Sequence, residues 1–236
     1  GEALQRQGGK SRLIPLILDV TDDASIQQAR AIVAEHVGTS GLFGLINNAG
    51  IAVVGPLEAV PIPDLRRQFE INLIGQVAVT QTFLPLIRLA RGRIVNMGSI
   101  AGRAAMPLMG PYSASKFALE AITDALRLEV QQWGIEVSIV EPGAIATPIW
   151  DKSGKSATDL EAATTPETRM LYAGVIAGVR KVVAEAANRA IAPDAVAQVV
   201  EHALTASRPK TRYLVGADAK VRALMVKLLP DRVSDA

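Results

Sequence analysis

Short apolar runs alternate along the chain with longer segments of helical spacing, and this alternation limits the available folds more than any other feature. Five runs rich in branched residues are predicted to form buried strands, at 13–20, 42–46, 93–97, 135–140 and 212–215. The predicted helices lie at 25–37, 64–89, 111–133, 166–188, 193–206 and 218–229. Strands that alternate with long helices are typical of a parallel sheet covered on both faces. The sequence therefore predicts a single α/β domain over 1–236, built on a doubly wound, Rossmann-like sheet.

Composition excludes several classes of protein and site. With 49% hydrophobic residues among 236, the chain can bury a full core. It has no cysteine, which excludes disulfides, thiolate catalysis and cysteine-based metal sites. His36 and His202 fall among polar residues on predicted helices, so surface roles are expected and no catalytic metal is predicted. Lys and Arg total 25 against 23 acidic residues, and no run of five like charges suggests nucleic-acid binding.

The apolar stretches predict a soluble protein. The first residues are polar and lack the apolar core of a signal peptide. Polar residues or glycine interrupt every apolar stretch before it reaches 18 residues, so no integral membrane segment is expected. We therefore expect a cytoplasmic protein.

Polar and glycine-containing turns follow three of the predicted strands. They are Asn47–Gly50, Gly98–Ser99 and Glu141–Gly143. In an open parallel sheet, ligands bind beyond the carboxyl ends of the strands. These three turns are therefore expected to meet at one rim and to form a ligand site there.

Tyr112 and Lys116 lie four residues apart near the start of a predicted helix, which places both side chains on one face. A free tyrosine has a pKa near 10, so only about one in a thousand is phenolate at pH 7. A nearby ammonium favours the phenolate, and lowering the pKa by about three units requires roughly 4 kcal/mol. A tyrosine adjusted in this way can exchange a proton with an alcohol or a carbonyl. Taken alone, the same pair is more often a chance surface pair.

Two hydrolase motifs were weighed against this interpretation. Ser113 to Lys116 matches Ser-x-x-Lys, but the Ser-Asp-Asn and Lys-Thr-Gly motifs that accompany it in penicillin-binding hydrolases are missing. No Gly-x-Ser-x-Gly surrounds Ser99, so a nucleophile elbow is unsupported.

The chain resembles the short-chain dehydrogenase/reductase family. The matching motifs occur in family order and spacing: Leu18-Asp19-Val20-Thr21-Asp22, Asn47-Asn48-Ala49-Gly50, Ile71-Asn72-Leu73, Gly98-Ser99, Tyr112-Ser113-Ala114-Ser115-Lys116, and Pro142-Gly143 with Thr147. The resemblance covers about residues 13 to 150 and continues more loosely to the end. It implies an oxidoreductase that uses NAD or NADP to interconvert a secondary alcohol and a carbonyl.

The resemblance also implies roles for individual residues. Tyr112 would be the general acid/base, and Lys116 would lower its pKa and hydrogen-bond the nicotinamide ribose. Ser99 would hold the substrate oxygen, and Asn72 would hold a water that links Lys116 to solvent. The cofactor would lie against the remaining motif residues: Asp19 and Val20 at the adenine, Asn48, Ala49 and Gly50 along the adenosine, and Pro142, Gly143, Ile145 and Thr147 over the nicotinamide.

One departure from the family pattern concerns the cofactor. The family's glycine-rich phosphate loop and its first two strands find no counterpart in the sequence, and Gly8-Gly9 lacks the required spacing. We expect the natural protein to have this stretch, without which 13–19 would have no neighbour to pair with. In the family the second strand also carries the residues that choose between NAD and NADP, so the resemblance implies either cofactor. A non-catalytic cofactor-binding or scaffold protein on the same fold is the alternative function.

Substrate and assembly are predicted from apolar residues. The segment 144–192 is expected to form a substrate-binding loop and helix. The loops near Tyr112 contribute an apolar lining suited to a hydrophobic alcohol or ketone, from Ile100, Met106, Leu108, Met109, Ile149 and Trp150. The helices 64–89 and 111–133 have apolar residues on most of their circumference, more than covering the sheet requires. The remaining apolar surface predicts a subunit interface, in a homodimer or homotetramer. The alternative is a monomer in which Leu224, Met225 and Leu228 cover these positions.

Overall fold

Four parallel strands form the centre of the protein. The structure is a computed structural model and describes residues 13–147, 154, 158, 160, 162 and 164–234. The strands are β1 (Gly44–Asn47), β2 (Arg93–Met97), β3 (Glu136–Pro142) and β4 (Arg212–Val215). They pair side by side in the order β1-β2-β3-β4, and every pairing is parallel. The predicted parallel α/β fold is confirmed.

Helices connect these strands. They are α1 (Asp23–Val37), α2 (Ile62–Phe69), α3 (Gly75–Ala90), α4 (Gly110–Val130), α5 (Pro166–Asn188), α6 (Pro193–Thr205), α7 (Ala217–Leu228) and the short α8 (Asp231–Ser234). Short 3₁₀ turns occur at Gly38–Ser40, Leu57–Ala59, Ile100–Gly102 and Gln131–Trp133. The predicted helices agree with these bounds to within a few residues.

The long helix predicted at 64–89 contains a π-helical turn. Residues Glu70–Ile74 form this turn between α2 and α3, so the chain is helical from Ile62 to Ala90. Pro85, the predicted kink, stays inside α3. π-helical turns are frequent at functional sites, because the extra residue turns side chains towards a new direction. This turn carries Asn72.

The predicted strand at 13–20 is wrong. Leu13 to Asp19 form neither helix nor strand, and Ile17 is 93% exposed. A strand needs a neighbour for its backbone N–H and C=O groups. In the part of the chain that the structure describes, β1 pairs with β2 alone, so this segment has no strand beside it. Apolar, branched composition was therefore not sufficient to make a strand here.

The core lies on both faces of the sheet. Ile94 and Val137 face a cluster formed with α1, α3 and α4, which includes Ile87. Val95 and Val140 face the opposite way, towards α6. Successive strand residues point to opposite faces, so helices on both faces are needed to bury them. Each fully buried side chain of this kind contributes about 1.5–3 kcal/mol.

One helix meets the length and composition of a membrane span. Ile62–Ala90 has 29 residues with a mean hydropathy of 1.3 in its most apolar window. A core helix of a soluble protein passes the same test, and 39% of that window is buried in the fold. This is weak evidence, and the predicted lack of a membrane segment stays a prediction.

Candidate active site

The carboxyl ends of β1, β2 and β3 open into one cavity of about 1110 Å³. The turns predicted to meet at this rim do so. The predicted site residues that line the cavity are Asn48, Gly50, Ser99, Tyr112, Lys116, Pro142, Gly143, Ile145 and Thr147. The cavity lining does not include Asp19, Val20, Ala49 or Asn72.

Tyr112 and Lys116 occupy the first turns of α4. The helix begins at Gly110 with Pro111 in its first turn, where a proline costs no hydrogen bond. The Nζ atom of Lys116 lies 5.8 Å from the centre of the Tyr112 ring and donates to the carbonyl oxygen of Met97 at 2.6 Å. The lysine is therefore fixed between α4 and the end of β2, beside the tyrosine.

Ser99 completes the group. Its hydroxyl hydrogen-bonds the Tyr112 side chain and accepts a bond from the Ala101 N–H at 3.1 Å, which caps the 3₁₀ turn. Two hydroxyls and an ammonium are thus held together in the lining of the cavity. This arrangement can bind a carbonyl or alcohol oxygen and exchange a proton with it.

The electrostatics of the pair differ from the prediction. Burial raises the pKa of Tyr112 above its ordinary value, and the hydrogen bond with Ser99 opposes this rise. Burial also lowers the pKa of Lys116 from 10.5 to about 8, partly offset by the negative charge of Glu120. The sequence predicted a tyrosine pKa lowered by the lysine. In the structure, desolvation is the largest influence on both pKa values and disfavours the charged form of each residue.

Asn72 is fully buried behind the site rather than in it. Its Oδ1 accepts from the Ile51 N–H at 2.9 Å, and its Nδ2 donates to the Ile51 carbonyl at 3.0 Å and to Ser115 Oγ at 3.2 Å. The Ser115 hydroxyl in turn donates to the Tyr112 carbonyl oxygen at 2.7 Å. Asn72 is therefore linked to Tyr112 through Ser115, and its predicted water relay to Lys116 stays a prediction.

The segment after β1 is held close to α2 and α3. Gln76 donates to the Ala49 carbonyl at 2.8 Å, and a side chain on Gly50 would contact Asn72. Gln68 is fully buried, accepts from the Val53 N–H at 2.7 Å and donates to the Ile51 carbonyl at 2.9 Å. The sequence analysis missed Gln68. Its position four residues before Asn72, on the same helix face, was the available signal.

Asp19 and Val20 lie away from the cavity. Asp19 accepts from the Thr21 N–H at 2.9 Å and from the Thr21 hydroxyl at 2.7 Å, and these bonds lower the pKa of its carboxyl. Val20 packs against Gly75, where any side chain would overlap it. Their predicted contacts with adenine stay predictions.

The predicted substrate segment is partly described. Ile145 and Thr147 line the cavity, as do Ile176, Val179 and Val183 of α5. Ile149 and Trp150 lie outside the described residues. Ile100, Met106, Leu108 and Met109 do line the cavity, so four of the six predicted apolar residues are at the site.

A group of charged side chains lies behind α4. The carboxylate of Glu141 is fully buried, with Arg103 Nε at 2.6 Å and Arg212 Nε at 3.5 Å. Arg212 also contacts Glu120 at 3.2 Å. Burial and the charge of Glu141 raise the pKa of Glu120 to about 7, against the lowering effect of Arg212. The sequence analysis did not identify this cluster, because its members are distant along the chain.

Comparison with known proteins settles the family. Residues 2–158 match the family model described as short chain dehydrogenase. The chain belongs to this family. Human "Retinol dehydrogenase 5" is 42% identical over 241 residues, covering 100% of this chain and 75% of that protein. This short-chain dehydrogenase is therefore an oxidoreductase, as predicted.

Comparison with solved structures agrees with this family assignment. A short-chain dehydrogenase from Streptomyces avermitilis is 31% identical, has a TM-score of 0.77, and the match covers 94% of this chain and 78% of that one. A short chain dehydrogenase from Burkholderia cenocepacia in complex with NADP has a TM-score of 0.70. It is 24% identical, and the match covers 99% of this chain and 87% of that one. At that identity the likeness concerns the fold alone.

Proposed function

We propose that this short-chain dehydrogenase interconverts a secondary alcohol and a carbonyl on a hydrophobic substrate, with NAD or NADP as cofactor. The observation that carries the proposal is the joint placement of Ser99, Tyr112 and Lys116 in the lining of a single cavity. Tyr112 acts as the acid/base, Ser99 holds the reacting oxygen and Lys116 supplies positive charge.

The cavity fits a dinucleotide in two respects. An ammonium has three N–H donors, and among the described residues Lys116 gives one of them, to Met97. The others are free to reach ribose hydroxyls. Gly50 and Gly143 line the same cavity as Asn48, so the ends of two strands border the space for the ligand. Pro142, Gly143, Ile145 and Thr147 would hold the nicotinamide half, and the bound nicotinamide supplies or accepts the hydride.

The proton passes through Tyr112. When a carbonyl is reduced, the Tyr112 hydroxyl donates its proton to the carbonyl oxygen, and when an alcohol is oxidised, the phenolate accepts it. The Ser99 hydroxyl lies against Tyr112 and stabilises the same oxygen by a hydrogen bond. In this proposal the charge of Lys116, one turn away on the same helix face, favours the phenolate and opposes the rise in the Tyr112 pKa that burial causes.

The substrate is hydrophobic. The apolar residues that line the cavity together with Tyr112 include Ile100, Met106, Leu108 and Met109, and aliphatic residues of α5 line it as well. Apolar walls with a few polar groups at one end bind an apolar molecule in one orientation. The similarity to a retinol dehydrogenase agrees with such a substrate.

The decisive experiment has two stages. Mixing the protein with NADH or NADPH should change the nicotinamide fluorescence, and turnover should then be measured on long-chain or polycyclic secondary alcohols against small, charged hydroxy acids. Turnover of the apolar alcohols supports the proposal. Binding without turnover of either class would favour a non-catalytic cofactor-binding protein, and turnover restricted to the charged acids would refute the hydrophobic substrate.

A further inference from the structure

Asp218 bonds the loop that follows β3. It lies in the first turn of α7, where its Oδ2 accepts a hydrogen bond from the Ala144 N–H at 2.7 Å. Ala144 belongs to the segment Gly143–Thr147, which lines the cavity beside Ser99 and Tyr112. The two residues are 74 positions apart in the chain. A carboxylate from the C-terminal part of the protein is thus bonded to the edge of the candidate active site.

Two glycines make room for this carboxylate. A Cβ atom on Gly143 or on Gly216 would overlap the carboxylate oxygens of Asp218. Gly216 also has a φ of 103°, which side chains rarely adopt. The Asp218 side chain is exposed to solvent, and its carboxylate lies against two glycine backbones, where a side chain at either position would displace it from the Ala144 N–H.

Main-chain bonds hold the segment on its other sides. The Gly143 N–H donates to the Val215 carbonyl at 2.9 Å, where β3 and β4 end. The Ile191 N–H donates to the Ala144 carbonyl at 3.1 Å, and the Ala146 N–H donates to the Ile191 carbonyl at 3.0 Å. The Ala144 N–H lies between these two attachments, and Asp218 is its partner.

We propose that Asp218 is a positioning residue for the segment Gly143–Thr147. A charge-assisted bond to a backbone N–H is about twice as strong as a neutral one. It holds Ile145 and Thr147 at the cavity wall, and, resting on the function proposed above, it sets the position of the wall against the nicotinamide. Asp218 also lines the cavity, but among the described residues no hydrogen bond joins it to Tyr112 or Ser99, so we assign it no part in proton transfer.

An acidic residue in the first turn of a helix also stabilises that helix through its dipole. A matched control variant is needed to separate this effect from the bond to Ala144. Asp194 provides one, since it occupies the same second helical position of α6 and is exposed. Hydrogen exchange of the Ala144 amide should become about tenfold faster or more in Asp218→Ala, as expected for loss of a charge-assisted bond. It should lie between the wild-type and Asp218→Ala rates in Asp218→Asn, which keeps a neutral acceptor oxygen, and stay near the wild-type rate in Asp194→Ala. An unchanged rate in Asp218→Ala would overturn the proposal.

A double-mutant cycle tests the packing independently of any cofactor. Gly143→Ala should lower the free energy of unfolding in urea, because its new methyl group meets Asp218. The loss of unfolding free energy that Gly143→Ala causes should be at least halved in the Asp218→Ala background, where the carboxylate is removed. Additive losses would contradict the close contact on which the proposal depends.

Cofactor affinity connects the contact to function. Asp218→Ala should raise the Kd for NADH or NADPH about fivefold or more, as loss of loop pre-organisation predicts. The pH profile of kcat should keep its midpoint, since Tyr112 is untouched. A faster Ala144 exchange with an unchanged Kd would refute the positioning role. If the wild-type protein binds neither cofactor, the proposed function fails, while amide exchange and the cycle still decide whether Asp218 positions the segment.

Discussion

The Nζ atom of Lys116 donates a hydrogen bond to the carbonyl oxygen of Met97 over 2.6 Å, which joins the first turns of α4 to the carboxyl end of β2. Ser99 follows Met97 by two residues, so the same bond sets the spacing between Ser99 and Tyr112. Lys116 is 5% exposed, and the negative charge of Glu120 offsets only part of the effect of burial on its pKa. The geometry of the candidate site therefore carries an electrostatic cost.

Tyr112→Phe should lower kcat by about a hundredfold or more, because general acid–base groups contribute on that order. Steady-state kinetics with an apolar alcohol as substrate measures this change in kcat. Tyr172→Phe is the matched control, since it removes one hydroxyl from the Glu58 contact on α5, outside the cavity lining. Similar kcat values for both variants would contradict the assigned role of Tyr112.

Lys116→Met should reveal the cost of the buried charge. The pKa of Lys116 is about 8 in the folded protein against 10.5 when unperturbed. Below pH 8 the lysine is charged in both states and destabilises the fold. Between about pH 8 and 10.5 the unfolded chain binds more protons, so stability rises with pH.

Urea unfolding from pH 7 to 10.5 measures this difference. The wild type should gain up to about 3 kcal/mol relative to Lys116→Met over that window. A difference between the two proteins that does not change with pH would show that Lys116 titrates at its ordinary pKa.

Arg103→Met should destabilise the protein by about 3 kcal/mol, as expected when a buried charge loses its partner. Glu141 is fully buried, and Arg103 is its nearer cation at 2.6 Å. Arg127→Met is the control: its partner Asp124 is 40% exposed, so it should cost about 1 kcal/mol or less. Equal losses in the free energy of unfolding would mean that the Glu141 cluster is no more costly to disrupt than a surface pair.

The protein should assemble as a symmetric dimer or tetramer through α3 and α4. Ile122 and Leu128 on α4 are 40% and 62% exposed, and Leu224, Met225 and Leu228 of α7 are themselves exposed rather than packed over them. Sedimentation at micromolar concentration should give a multiple of the 24.9 kDa chain mass. Ile122→Glu should shift the protein towards monomer, whereas Leu171→Glu on α5 should not. A wild-type monomer would refute the assembly.

Periodicity alone predicted most of the fold. The apolar runs at 93–97 and 212–215 became β2 and β4 with those bounds, and α5 spans 166–188 as predicted. Such elements are local, because burial of one face and the spacing of apolar residues are written in consecutive positions. The motif spacing likewise placed Ser99, Tyr112 and Lys116 in one site, since the carboxyl ends of parallel strands meet at one edge.

Tertiary structure decided what depends on neighbours distant in the chain. The run 13–20 has strand composition but no strand, because a strand exists only beside a partner. The pKa values of Tyr112 and Lys116 follow from burial, and burial cannot be predicted from the spacing of two residues in the sequence. The bond from Ala144 to Asp218 joins residues from separate elements, and only the packing of α7 against the end of β3 brings them together. The local sequence thus determined the helices, the four strands and the pairing of Tyr112 with Lys116. The burial of these residues and the long-range contacts arose only in the folded chain.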